Sequence, residues 1–117
     1  MKKFLKYWLP FLFWAFFIFF ASSIASSDIP DVFSGQDTLF HIFEYTILAL
    51  LLNRALKNSG SSALLRRPRR IFLVILSCFI YALSDELHQI FVPGRTNSML
   101  DLFFDGFGIL IGSVIYR

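Results

Sequence analysis

The chain has 117 residues, of which 56% are hydrophobic, 16% charged and 22 aromatic, 16 of those phenylalanine. A soluble domain of this length carries about 25% charged residues, and disordered chains are poor in aromatic and aliphatic residues, so both classes are excluded. With a mean hydropathy of +0.65 this is a membrane protein, and its length allows one domain, residues 1–117. The net charge of +3 does not point to nucleic acid, because the charges segregate along the chain.

Four stretches, at about 7–25, 38–56, 71–91 and 98–116, approach the roughly 20 residues that a helix needs to cross a hydrocarbon core. None alternates as a membrane barrel requires. The predicted fold is an all-α bundle of four transmembrane helices. The first stretch follows Lys2, Lys3 and Lys6 and holds Trp8, Trp14 and a run of phenylalanines. It has the basic start of a signal peptide, but its apolar region is longer and no clean Ala-x-Ala site follows, so it reads as a retained span.

The second stretch carries His41, Glu44 and Tyr45, which share one helical face at steps of three and four. After the short polar loop Asn58 to Ser62 comes Arg66-Arg67-Pro68-Arg69-Arg70, read as a determinant of orientation, with anionic headgroup binding as the alternative. The third stretch holds the single cysteine, Cys78, which cannot form an intrachain disulfide and reads as a small core residue. It ends in Ser84, Asp85, Glu86, His88 and Gln89. A Pro93-Gly94 turn then presents Arg95, and the fourth stretch carries Asp101, Asp105, Gly108 and Gly112. Asp37 and Ser98 read as helix caps, and Asp101 in part.

With four spans, ten of the eleven lysines and arginines fall on one side, which the positive-inside rule makes the cytoplasm. Both termini then lie there, in the cytoplasmic membrane, and Arg95 is alone outside. All eight carboxylates lie toward the opposite side. His41, Glu44, Asp85, Glu86, His88, Asp101 and Asp105 sit at matched depth on three helices, and such groups face a bundle interior or a water-filled cavity. The Gly108/Gly112 step permits close helix approach. Packing inside the bundle is preferred, since the acidic residues on that stripe must face inward, and a homodimer through Gly108/Gly112 is the alternative.

His41-Ile-Phe-Glu44-Tyr45, the segment from Ser84-Asp85-Glu86-Leu-His88-Gln89 through Pro93-Gly94-Arg95-Thr-Asn-Ser98, and Asp101-Leu-Phe-Phe-Asp105-Gly106 followed by Gly108 and Gly112 together resemble the VanZ-like family of small bacterial integral membrane proteins. The likeness runs from about residue 38 to 112. It implies a bacterial cell-envelope setting. The family's founding member is associated with antibiotic resistance, to the glycopeptide teicoplanin, and the likeness implies no particular reaction.

Two readings of the polar residues follow. In the first, the site acts on a lipid or lipid-linked envelope substrate. Carboxylates and imidazoles are ligands for Zn²⁺, Mn²⁺ or Mg²⁺, so a divalent metal is the expected cofactor, held by Asp85, His88 and Asp105. The same three are candidate acid–base groups, supported by His41 and Glu44. Arg95 suits a phosphate or carboxylate, and Gln89, Tyr45, Ser84 and Asp101 complete the ligand-binding set. In the second reading the cluster is non-enzymatic, a network paired as His41–Glu44, His88–Asp85 and Arg95–Asp101 that shapes a cleft for a lipid headgroup or envelope ligand. An ion pathway ranks last, because the cytoplasmic halves are apolar.

Overall fold

The computed structural model describes residues 2–23, 36–58, 66–92 and 99–116. They form four helices, α1 (Lys2–Ser22), α2 (Gln36–Lys57), α3 (Arg67–Gln89) and α4 (Met99–Ile115), with no strand among the described residues. The all-α bundle read from the sequence is the fold observed. Three helices, α1, α2 from Thr38 and α3, are long and apolar enough to cross a membrane. At 17 residues α4 is shorter, about 25 Å at 1.5 Å per residue, because the fourth apolar stretch is helical only from Met99 to Ile115. Ser98 and the turn bearing Arg95 lie outside the described residues, as does the side chain of Asp37.

The helices run up and down in alternation. At one end Arg54 of α2 reaches the Lys6 carbonyl of α1, Arg67 of α3 donates to the Val114 carbonyl of α4 at 2.9 Å, and Lys57 lies over the Tyr116 ring. At the other end the acidic residues and both histidines gather. α2 and α4 therefore run parallel, and α1 and α3 run antiparallel to them. α2 packs most closely on α4, while among the described helices α1 packs on α2 and α3.

Local chemistry explains several of these features. Pro10 inside α1 has no N–H to give the Lys6 carbonyl, and the Arg54 guanidinium supplies a donor there at 3.4 Å. Pro68 sits in the first turn of α3, where an N–H has no intrahelical acceptor in any case. The close α2–α4 contact depends on glycine. A Cβ on Gly108 would stand 2.5 Å from the Ile42 carbonyl oxygen, and one on Gly112 would strike the Thr46 carbonyl oxygen and approach Ala49 Cβ at 2.8 Å. The partner of the Gly108/Gly112 step is thus α2 of the same chain, and a second copy using those glycines would have to displace α2.

The core joins Ile18, Tyr45, Leu48, Ala49, Leu52, Val74, Cys78, Ala82 and Ile109, with Trp8, Phe11 and Trp14 packed against it. Elsewhere the surface is apolar: Phe13, Phe16 and Phe91 are 71%, 72% and 84% exposed. In water such a surface would be an aggregation hazard; in a bilayer it is the lipid-facing side. Not every basic residue lies on that surface. Arg70 is buried, its Nε donating to Asn53 Oδ1 at 2.5 Å, while Asn53 Nδ2 donates to the Ser113 carbonyl at 2.9 Å. Arg70 is therefore a structural link among α2, α3 and α4, unlike the exposed Arg66, Arg67 and Arg69 beside it.

Candidate functional site

Because glycine lets α4 lie against α2, Asp105, three residues before Gly108, meets the second turn of α2. Asp105 Oδ1 lies 2.6 Å from His41 Nδ1, with Asp105 fully buried and His41 nearly so. The other imidazole nitrogen, Nε2, is 3.9 Å from Asp101 Oδ2, one turn nearer the end of α4. One imidazole thus stands between two carboxyls of a different helix.

One turn below His41, the fully buried Tyr45 donates from its hydroxyl to Asp85 Oδ2 of α3 at 3.3 Å. Ser22 of α1, also buried, sets its hydroxyl beside the Asp85 carboxyl as the neighbouring donor, outside strict hydrogen-bond geometry. Glu44 is half-buried and within electrostatic reach of His41, Tyr45 and Tyr81. Glu86 and Gln89 are buried as well, so Glu86 turns into the bundle instead of toward lipid. Asp85 and Asp105 lie within electrostatic reach of each other. His41, Glu44, Tyr45, Asp85, Asp101 and Asp105 therefore form one connected cluster from three helices.

His88 turns elsewhere. Its ring stacks on Phe19 of α1, centroids 4.3 Å apart, and its Nε2 lies 2.8 Å from Ser23 Oγ. The Ser23 hydroxyl also reaches the Phe19 carbonyl at 3.0 Å. A hydroxyl has one proton, so while it donates to that carbonyl His88 Nε2 is the donor in the other bond. Among the described residues no three His, Cys, Asp or Glu side chains are grouped to hold one ion; the expected set of Asp85, His88 and Asp105 is opened by this turn of His88 toward α1. His41 stays within electrostatic reach of Glu44, and His88 of Asp85, as expected along single helices, while the hydrogen bonds the two imidazoles make are His41–Asp105 and His88–Ser23 between helices. Ser84 also stands apart, exposed and donating to the Tyr81 carbonyl at 2.7 Å. Arg95 lies outside the described residues.

The share of α1 in the site carries no signal in the sequence. Ser22 and Ser23 border Asp85 and His88, Trp14 Nε1 donates to the Glu44 carbonyl at 2.8 Å, and the Tyr81 hydroxyl donates to the Ala15 carbonyl. A tryptophan among phenylalanines and two serines at a helix end carry no spacing signal that would reveal these contacts.

Within this cluster two buried carboxylate oxygens are left over. Asp85 Oδ1 and Asp105 Oδ2 have no hydrogen-bond partner among the described residues. Each lies in a residue at most 4% exposed, so water does not replace the missing donor freely. Among the described residues the cluster is therefore richer in acceptors than in donors.

A helical bundle with an apolar outer surface and an acidic, histidine-containing cluster at one end defines a membrane protein with a polar site built between its helices. The chain belongs to the VanZ/LLP1 family, whose model matches residues 7–117. Neither a curated protein nor a solved structure matches it.

Proposed function

We propose that the chain is a multi-pass protein of the bacterial cytoplasmic membrane, with both termini cytoplasmic, whose cluster in the outer half of the bilayer binds the polar end of a lipid or lipid-linked envelope ligand. The observation that carries this reading is the pair of buried oxygens, Asp85 Oδ1 and Asp105 Oδ2, that have no hydrogen-bond partner among the described residues. A buried acceptor without a donor costs free energy, and a ligand's polar end would supply what the helices do not. Segregation of the described lysines and arginines to the opposite end supports the orientation. Membership of the VanZ/LLP1 family supports an envelope ligand and a bearing on teicoplanin susceptibility.

The test is retention of lipid by protein extracted in mild detergent, read by native mass spectrometry. Wild type is expected to keep a lipid or lipid-linked species near one per chain, and Asp85→Asn to lose it. A wild-type protein carrying no lipid above the detergent background would sink the reading. A cysteine placed at Arg69 in a Cys78→Ala background should react with impermeant maleimide only after the cells are opened; reaction in intact cells would reverse the orientation.

A second reading is favoured by the His41–Asp105 contact. An imidazole held at Nδ1 by a buried carboxyl keeps its other nitrogen, here 3.9 Å from Asp101 Oδ2, in place to take or give a proton. On this reading His41 acts as an acid–base group on the bound ligand, and His41→Gln abolishes turnover while lipid retention persists. Loss of both together would leave binding alone.

A further inference from the structure

The two unpartnered oxygens among the described residues also bear on the chemistry of what fills the site. We infer that the cluster takes a primary ammonium group, seated between Asp85 and Asp105; this rests on the ligand-binding reading above. Three observations lead there. The two oxygens stand on different helices, α3 and α4, with Tyr45 of α2 tied to Asp85 and His41 of α2 tied to Asp105. Each carboxyl has one oxygen engaged and one without a hydrogen-bond partner among the described residues, the Ser22 hydroxyl being the neighbouring donor on the Asp85 side. The cluster also sets four aspartates and glutamates, Glu44, Asp85, Asp101 and Asp105, against two imidazoles, His41 within it and His88 at its edge. The described lysines and arginines are all at the far end of the bundle.

A group that completes this site must bring donors and positive charge together. A hydroxyl brings donors without charge, and a trimethylammonium brings charge without an N–H. A primary ammonium brings one charge and three donors, enough for Asp85 Oδ1, Asp105 Oδ2 and one further acceptor. Charge-assisted hydrogen bonds of this kind are the stronger class. The ammonium could come from an aminophospholipid headgroup or from a soluble amine, and the experiment separates the two.

The full-length protein, in mild non-ionic detergent, is offered equal amounts of phosphatidylethanolamine and phosphatidylcholine with matched chains, and the retained lipids are read by native mass spectrometry. The two headgroups carry the same charge and differ in N–H donors. Retention of the ethanolamine lipid should exceed that of the choline lipid by about tenfold, the effect of one charge-assisted hydrogen bond. The preference should collapse in Asp85→Asn, which keeps an acceptor for the Tyr45 hydroxyl. Because the wild-type ratio decides the matter, an unfolded variant leaves the result readable. Displacement of the bound lipid by glycerophosphoethanolamine would assign the ammonium to a soluble amine, and lack of displacement to the lipid; both uphold the inference.

Equal retention of the two lipids would overturn it while leaving the headgroup reading intact. Binding of glycerophosphoethanolamine with no lipid retained would uphold the ammonium and overturn the headgroup reading. A stoichiometric divalent cation, lost on Asp85→Asn and present without either lipid preference, would overturn the ammonium in favour of a metal.

Discussion

His41 Nδ1 and Asp105 Oδ1 stand 2.6 Å apart across the α2–α4 contact, in a protein whose two helices run parallel and meet through glycine. The pair and the glycines are one arrangement. Gly108 and Gly112 remove the side chains that would hold the helices apart, and the same helix face then brings Asp105 against His41. Close packing below makes the polar contact above possible, and the polar contact fixes the register of the packing.

The first prediction concerns that pair. His41→Leu strips Asp105 of its hydrogen bond and leaves a fully buried carboxyl with no partner, which should cost about 3 kcal/mol. Asp105→Leu should cost less, because a lone imidazole can stay neutral. The double variant should be more stable than the sum of the singles implies, with a coupling energy of about 1 kcal/mol or more, the upper range for polar pairs between membrane helices. Thermal unfolding in detergent of all four proteins measures it, and strictly additive losses would show that the two side chains do not interact.

The second prediction separates the glycines. Gly108→Ala and Gly112→Ala place a Cβ against the backbone of α2, and overpacking of this sort costs about 1–3 kcal/mol. A Cβ on Gly106 meets nothing within 4 Å, so Gly106→Ala should be neutral or stabilising by up to about 1 kcal/mol through helix propensity. The three melting temperatures should therefore divide two against one. A Gly112→Ala protein as stable as wild type would mean that α2 and α4 do not meet as closely as described.

Much of this arrangement was legible in the sequence because hydropathy and charge placement act over whole helices. Apolar length gave four helices, and steps of three and four put His41 with Tyr45 and Asp101 with Asp105 on shared faces. What spacing along one helix does not give is the rotation of each helix against its neighbours. That is why spacing sets His41 near Glu44 without revealing its 2.6 Å contact with Asp105, and sets His88 near Asp85 without revealing its contacts with α1. The role of Arg70 was hidden for a different reason. In a run of four arginines nothing local distinguishes the one that is buried, and only its position one turn into α3, level with Asn53, draws it inward.

The third prediction tests that distinction. Arg70→Met removes the donor to Asn53 Oδ1 and leaves that oxygen buried, a cost of about 1–3 kcal/mol. Arg69→Met and Arg66→Met alter exposed positions and should stay within about 0.5 kcal/mol of wild type. Asn53→Leu should destabilise as much as Arg70→Met, since it removes both the acceptor of the guanidinium and the donor to the Ser113 carbonyl. Unfolding of the purified proteins decides it; equal effects at positions 69 and 70 would mean that the arginines act only through their shared charge.

The fourth prediction concerns how α1 is held. Among the described residues its side of the bundle has few buried side chains, Ile18 and Ser22, and its contacts with α3 are fewer than with α2. The Phe19–His88 stack, the Ser23–His88 hydrogen bond and the Tyr81 bond to Ala15 therefore form much of the α1–α3 seam. His88→Phe keeps a flat ring over Phe19 and loses only the hydrogen bond, whereas His88→Ala loses both. If stacking dominates, His88→Phe should lie close to wild type and His88→Ala about 1 kcal/mol below it, the usual worth of an aromatic pair beyond its buried area. If the hydrogen bond dominates, His88→Phe and Ser23→Ala should be equally destabilised and His88→Gln should recover part of the loss. Hydrogen exchange of the α1 amides would locate the effect, because loosening of this seam should raise exchange in α1 and leave α4 protected; a uniform rise through all four helices would assign His88 to the stability of the whole bundle and not to the attachment of α1.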